Sequence, residues 1–194
     1  IADTVASVPA WIDDVIVVDD ASSDDTAGAV PTAPRVEVVR HADNRGVGAA
    51  ITTGYRRALA TGADVAVVMA GDGQMDPRDL PALLAPIVAD TADYVKGNRF
   101  RSRECRNMPW LRRVAGKVLS LATRLASGLD VDDCQCGFTA MGRHALCTLP
   151  LSELWPGFGY PTEFLLLAAE HGLRVSEVTV RPVYADEQSG VRPW

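Results

Sequence analysis

Apolar residues along this chain fall into two kinds of block, and the two kinds alternate. Val15 to Val18 within the strand at 14–20 (DVIVVDD), and residues 65–69 (VAVVM), are continuous apolar runs, largely β-branched and too short for a helix, which predicts parallel strands covered on both faces. RVEVVR at 35–40 interleaves polar positions and fits a sheet edge, and DYVKGN at 93–98 reads as a further strand. Residues 175–183 set Val178 and Val180 against Glu177, Thr179 and Arg181, predicting a half-exposed strand. CQCGFTAM at 134–141 predicts a strand that turns at Gly137.

Helical spacing occupies the intervals. The first eight residues read as a helix stopped by Pro9, and Ser23 or Asp24 is placed to cap a short one. A helix from Gly46 runs to Thr61 and stops at Gly62. From Pro77 to Val88 the residues Leu80, Leu83, Leu84 and Ile87 share one face, with Asp76 as the cap. A long helix spans 110–127 and ends at Gly128, and another starts at Pro161 or Thr162 and runs through Glu170. The segment 154–160 is an aromatic, Gly/Pro-rich loop read as packing or lid, and 186–194 reads as an extended tail. Strand and helix alternate throughout, which defines an α/β domain. There is no internal repeat and no low-complexity linker.

Length and charge narrow this picture. A chain of 194 residues, 47% hydrophobic and 23% charged, builds one domain with a substantial core. A net charge of -6 argues against a nucleic-acid surface, which needs a concentrated basic face. The basic residues nevertheless cluster between Arg99 and Arg113, as expected for a specific anionic ligand. Residues 99–107 (RFRSRECRN) read as a mobile cationic loop, either a solvated segment or a phosphate-binding lid. Cys105, Cys134, Cys136 and Cys147 form no C-x-x-C pair, so reduced thiols are expected, and Cys134, Cys136 and His144 fit no common zinc spacing. No run approaches the roughly 18 apolar residues of a membrane span.

The candidate chemistry sits where strands end. In an open α/β sheet, ligands bind beyond the carboxyl ends of the strands. Asp19 and Asp20 close the first strand, and Asp72 and Gln74 follow the 65–69 strand in a Gly-rich loop, too early to cap the next helix. Such a loop is placed to hold a cation or a sugar nucleotide. Gly46 and Gly48 open a helix without the third glycine of a dinucleotide loop, and read as a helix N-terminus packed close to the sheet with backbone donors available to an anion.

Taken in order, DD-x-S-x-D-x-T after a strand, N-x-G-x-G at a helix start, G-D-G-Q-x-D-P after a strand, G-N-R, and D-x-Q-C-G-F make a set that resembles family 2 glycosyltransferases. The likeness is strongest to the polyprenyl- or dolichyl-phosphate mannosyl- and glucosyltransferase branch and covers about residue 14 to 194. It implies a GT-A-type, Rossmann-like, mostly parallel sheet flanked by helices, in one domain spanning 1–194. It also implies a nucleotide-sugar donor, a lipid-phosphate or other small acceptor, Mg²⁺ or Mn²⁺, and a cytoplasmic or peripheral membrane location. Asp19, Asp20, Ser22, Gly46, Asp72, Asp133 and Gln135 would line the nucleotide-sugar site, with Asp20 near the base or ribose. Asp72 and Gln74 would hold the metal, and Asp72, Glu163, Arg99 and Arg113 would be the catalytic set, the two arginines holding phosphates and Glu163 near the acceptor-base position.

Two departures stand against that pattern. Ala70 replaces the first aspartate of the D-x-D motif, leaving one carboxylate for the metal, and the strand that opens the family fold would precede Ile1. One carboxylate suffices for a hard cation that takes its other ligands from phosphate and water. An anionic lipid-phosphate acceptor needs no strong base, so Glu163 would then orient it; a hydroxyl acceptor would make Glu163 the base. The readings that compete with a metal-dependent inverting hexosyltransferase are a non-catalytic nucleotide-sugar-binding domain and a nucleotidyltransferase on a similar sheet.

Overall fold

In a computed structural model of the chain, in which residues 1–157 and 159–183 are described, each expected apolar block except 134–138 becomes a strand. The tail at 186–194 and Phe158 of the aromatic loop lie outside the described residues. Strands β1 (Val15–Asp19) and β2 (Val36–Arg40) pair in parallel as a two-stranded sheet. Strands β3 (Val65–Val68), β4 (Tyr94–Asn98), β5 (Thr139–Gly142) and β6 (Val175–Thr179) form a second sheet in the order β3-β5-β4-β6. In it β4 and β6 are parallel, and β5 runs against both β3 and β4. Thus β3, β4 and β6 point the same way, and their carboxyl ends share one edge.

Helices α1 (Ala2–Ser7), α2 (Val47–Thr61), α3 (Leu80–Val88), α4 (Trp110–Ser127), α5 (Arg143–Thr148) and α6 (Tyr160–Glu170) cover these sheets. On one face Tyr55 of α2, Tyr94, Met141, and Phe164 and Leu165 of α6 pack together, with Phe164 edge-on to Tyr55 at 5.8 Å between centroids. On the other, Leu80 and Leu83 of α3 meet Val95, Phe138 and Ala140. Burying side chains of this size contributes about 2 kcal/mol each, and β4, buried at every position, is the strand both layers share. Helices α2 and α4 stop as the glycines require: Gly62 (φ 87°) and Gly128 (φ 71°) take the left-handed turn that frees the chain to reverse.

Several expectations are corrected. Strand β3 is only half-buried, because it has a partner on one side and ends its sheet. No helix follows β1; the Asp24 carboxylate accepts from both Thr26 N–H and Thr26 Oγ1, a local bond that competes with helix formation, and the segment turns instead. Residues 134–138 form a turn rather than a strand, and β5 begins at Thr139. The cationic segment after β4 is folded back: Arg99 and Arg101 are ion-paired, and residues 103–107 form a 3-10 turn capped by Ser102.

Candidate functional site

Thr139 of β5 is paired with Val68 of β3 on one side and with Lys96 of β4 on the other. The chain leaving β3 toward Asp72 and the chain leaving β4 toward Arg99 therefore emerge at the same edge, two strands or roughly 10 Å apart. Asp72 is exposed, and one carboxylate oxygen accepts the Gln74 N–H at 3.0 Å. The loop is tied down behind it. Ala70 N–H reaches Met75 Sδ, Val183 N–H donates to Gln74 O, and Asp76 accepts from Arg78 N–H at 2.9 Å as the cap expected there. Thr4 Oγ1 of α1 donates to Gly71 O.

Arg99 and Asp133 are each other's partner. Asp133 is fully buried and takes the Arg99 backbone N–H at 3.0 Å, Nε at 2.8 Å and Nη2 at 2.9 Å. Burial pushes the Asp133 carboxyl up, but the hydrogen bonds and charge of Arg99 outweigh it and hold the group below the ordinary 3.8. The pair is a fixed, formally neutral fork, with the Arg99 guanidinium held through Nε and Nη2 on the Asp133 carboxylate.

Two groups that hold this turn escaped the sequence reading. The Glu177 side chain is 2% exposed and accepts from Asp132 N–H, Asp133 N–H and Asn98 Nδ2. Alternation along β6 assigns Glu177 to the solvent side; the 98–101 and 132–133 segments cover that side instead. Lys96 is wholly buried, and its Nζ donates to Cys136 O at 2.5 Å, beneath the same turn. Burial lowers its pKa, and the neighbouring Asp133 carboxylate acts against that. In DYVKGN nothing but the strand assignment itself points to a lysine facing inward.

Gln135 and Glu163 connect the turn to α6. Gln135 Nε2 donates to Thr162 Oγ1 at 2.8 Å, and Glu163 accepts the Trp155 N–H at 2.6 Å. Tyr160, at the start of α6, stands so close to Gly137 that a Cβ there would come within 2.8 Å of the Tyr160 hydroxyl. Burial pushes that hydroxyl up to about 12, so it is a neutral donor at the site.

The β1 end is built differently from expectation. Asp20 accepts from Arg45 N–H at 2.9 Å, Gly46 N–H at 2.6 Å and His41 Nδ1 at 2.6 Å, and the far ring nitrogen of His41 meets Thr53 Oγ1. The anion on the donors before α2 is therefore the chain's own Asp20. Burial raises its carboxyl, and the Arg45, His41 and Gly46 donors more than offset this. Two residues on, Gly48 N–H donates to Pro156 O at 2.7 Å. An alanine at 48 would put its Cβ 2.2 Å from Trp155 O, so the glycine lets the aromatic loop lie on the helix start. Gly48→Ala is expected to cost about 2 kcal/mol in urea unfolding; an unchanged midpoint would contradict this packing.

Asp19 is buried, with Oδ1 on Ser22 N–H and Oδ2 3.1 Å from Arg40 Nε. Ala21, Ser22, Arg40, His41 and Ala42 line an open recess of about 490 Å³ there. The bonds Asp20–Gly46, Gly48–Pro156, Trp155–Glu163, Thr162–Gln135 and Arg99–Asp133 link this recess to the carboxyl edge of the larger sheet. Arg113 is not brought into that network: it lies half-buried in the first turn of α4, with no acidic partner among the described residues.

The same carboxylates set the acid limit of the fold. Asp133, Asp20 and Asp93 (held low chiefly by Arg174) lie below 3.8 when folded, so the unfolded chain binds more protons in acid. Their stabilisation is complete above the ordinary carboxyl pKa and is lost as pH falls through the lowered values. Urea midpoints are expected to hold between about pH 7 and 5 and to decline below about pH 4; a midpoint constant to pH 3 would contradict the assignment.

Comparison with known proteins follows the same lines. A family model described as Glycosyl transferase family 2 matches residues 1–149. The UDP-N-acetylglucosamine–dolichyl-phosphate N-acetylglucosaminyltransferase of Methanococcus voltae is 33% identical over 193 residues, covering 90% of this chain and 76% of that protein. The undecaprenyl-phosphate mannosyltransferase of Micrococcus luteus is 34% identical over 173 residues, covering 86% and 70%. Among solved structures, glucosyl-3-phosphoglycerate synthase from Mycobacterium tuberculosis, in complex with Mg²⁺ and UDP, superposes with a TM-score of 0.69 at 21% identity, covering 97% of this chain and 67% of its own. That likeness shows a common fold.

Proposed function

The chain belongs to glycosyltransferase family 2, and from that premise we propose that it moves a hexosyl unit from a UDP- or GDP-linked donor to a polyprenyl phosphate, with inversion and with the help of a divalent cation. The observation that carries this reading is the shared edge. Asp72 and the Arg99–Asp133 pair leave β3 and β4 beyond the same β5 residue, as a diphosphate bound between them requires. The two named relatives both take lipid-phosphate acceptors by name, and the structural relative holds Mg²⁺ with UDP.

The residues fit a cation of the oxygen-seeking kind. No group of three His, Cys, Asp or Glu that could cage a metal occurs among the described residues, but the exposed Asp72 carboxylate offers one hard oxygen, with Gln74 beside it. Mg²⁺ and Mn²⁺ accept such sites when phosphates and water complete the shell. The cation would supply electrostatic stabilisation of the departing diphosphate.

The chain's own groups do the remainder. Asp133 fixes the Arg99 charge at the edge, where it lowers the energy of negative charge building on the leaving group. An acceptor phosphate oxygen attacks the anomeric carbon from the opposite side. The new C–O bond forms as the bond to the diphosphate breaks, and the nucleoside diphosphate leaves with the electron pair. The attacking oxygen is already ionised, so no proton need be removed. Glu163, whose carboxylate holds the Trp155 N–H, then positions the 155–156 loop and the acceptor it borders.

Release of UDP or GDP from UDP-glucose, UDP-N-acetylglucosamine and GDP-mannose tests the reading. One donor should turn over only when both Mn²⁺ or Mg²⁺ and a polyprenyl phosphate are present. Ala70 in the place of a second carboxylate favours one competing reading, a nucleotide-sugar-binding domain without turnover; binding with no release under any condition would decide for it.

A further inference from the structure

The loop that carries Asp72 and Gln74 is held from outside. Within it, Ala70 N–H meets Met75 Sδ, Gln74 N–H meets the Asp72 carboxylate, and Asp76 caps the turn Pro77–Asp79. Gly73 takes the left-handed conformation (φ 75°) between the two candidate ligands, where a glycine leaves the backbone least restrained. A further restraint comes from residues 180–183, which leave β6 and cross the carboxyl edge of the sheet. Val180 N–H donates to Asn98 O, beside Arg99, at 3.1 Å. Pro182 then pairs with Met75 as an antiparallel bridge, and Val183 N–H donates to Gln74 O at 3.0 Å. This short strap ties the strand end that bears Arg99 to the loop that bears Asp72.

Arg181 latches the strap. The Asp79 carboxylate accepts its backbone N–H at 2.6 Å, Nε at 2.9 Å and Nη2 at 2.6 Å, and Asp76 Oδ2 lies 3.8 Å from Nε. Both aspartates are buried, and Arg78 shares Asp76. A guanidinium held through two nitrogens by a shielded carboxylate is both charge-assisted and directional, which fixes Arg181 in one geometry. Asp79 stands at the position that caps α3, yet it makes no side-chain bond to that helix. A side chain there ordinarily accepts from the first N–H groups of its helix; here its oxygens hold Arg181 instead. Met75 extends the unit to the turn that follows Asp133, where a Cβ at Gly137 would come within 3.4 Å of Met75 Cε.

We propose that Arg181 is a positioning residue for the cation site: by latching the 180–183 segment to Asp79 and Asp76, it sets the spacing between the Asp72–Gln74 loop and the Arg99–Asp133 pair to the span of a cation-bound diphosphate. This deepens the transferase reading and rests on it. Arg181 acts through the loop and not on the donor. Partners that hold metal ligands in place from behind tune metal affinity by about 10- to 100-fold. Loosening the latch therefore removes what the cation adds to nucleotide binding and leaves binding without metal near its native strength.

The test is calorimetric titration of UDP and GDP, with Mn²⁺ and with EDTA, into the native chain, Arg181→Lys, and the double variant Arg181→Ala with Asp79→Asn. The asparagine leaves no buried charge without a partner and can still accept the residue 181 N–H, so circular dichroism should be unchanged. For the nucleotide that the native chain binds, the double variant should lose about tenfold or more of its affinity with Mn²⁺ and less than about twofold in EDTA, with Arg181→Lys between. Arg174→Ala with Asp93→Asn removes a comparable ion pair at the amino end of β4 and should keep the native response to Mn²⁺. A native response to Mn²⁺ in the double variant would overturn the latch and leave the transferase reading standing, as would an equal loss in the Arg174 pair. Should the double variant unfold, Arg181→Lys decides, and an undiminished response there overturns the latch. A native chain whose nucleotide affinity ignores Mn²⁺ would contradict the cation reading itself, and the latch with it.

Discussion

Arg99→Ala is expected to destabilise the fold by about 3 kcal/mol and to lower turnover by about a hundredfold or more. The stability loss comes from Asp133, which has no contact with solvent and would keep its charge without the two guanidinium donors that now hold it. Only the backbone N–H of residue 99 would remain. Removing one partner of such a pair costs more than the pair contributes, because the survivor stays desolvated. Adding Asp133→Ala should therefore restore much of the stability and none of the activity. Urea unfolding of the two single variants and the double, alongside initial rates, separates the two effects. If the double variant were as unstable as Arg99→Ala, the cost would lie in packing rather than in an orphaned charge. Arg99→Lys keeps the charge but not the fork, and should fall between native and alanine in both measurements.

Asp72→Asn is expected to behave in the opposite way, leaving stability within about 0.5 kcal/mol while lowering turnover by about 10² to 10³. Asp72 is exposed, and its one internal bond, to the Gln74 N–H, is a bond asparagine can also accept. What asparagine lacks is the charge proposed to hold a divalent cation on the donor diphosphate. With Ala70 at the other position of the motif, the only other carboxylate of the loop is Asp76, which is buried and paired with Arg78 and Arg181. The loss should be partly offset by raising Mn²⁺ concentration if the defect is in metal affinity. Full activity at low metal would show that Asp72 does not carry the cation.

The contrast between these two residues follows how far each was legible in the chain. Strand ends are local: an apolar block followed by Ala70-Gly71 and then aspartate places Asp72 on a rim without knowledge of any other segment. Asp76 before Pro77 and Gly62 after Thr61 are local in the same sense, and each stands where its chemistry requires. Pairings across the fold are not local. Asp20 meets the N–H of Gly46, and Arg99 meets Asp133, over 26 and 34 positions of sequence. A carboxylate at a strand end looks the same whether it awaits a ligand or already holds a backbone loop. Glu177 and Lys96 were hidden for a related reason: alternation treats a charged residue as solvent-facing, and only tertiary partners make its burial affordable. The six-residue α5 is too short to show a period, and it forms where the chain turns out of β5.

Asp72 and the Arg99–Asp133 fork are proposed to enclose a cation-bound diphosphate at the carboxyl edge of β3 and β4. Calorimetric titration of UDP and GDP into the native chain, with Mn²⁺ and then with EDTA, tests it most directly. One nucleotide should bind with Mn²⁺, weaken by about tenfold or more on chelation, and weaken to the same degree in Asp72→Asn with Mn²⁺ present. Equal affinity under all three conditions would contradict the claim.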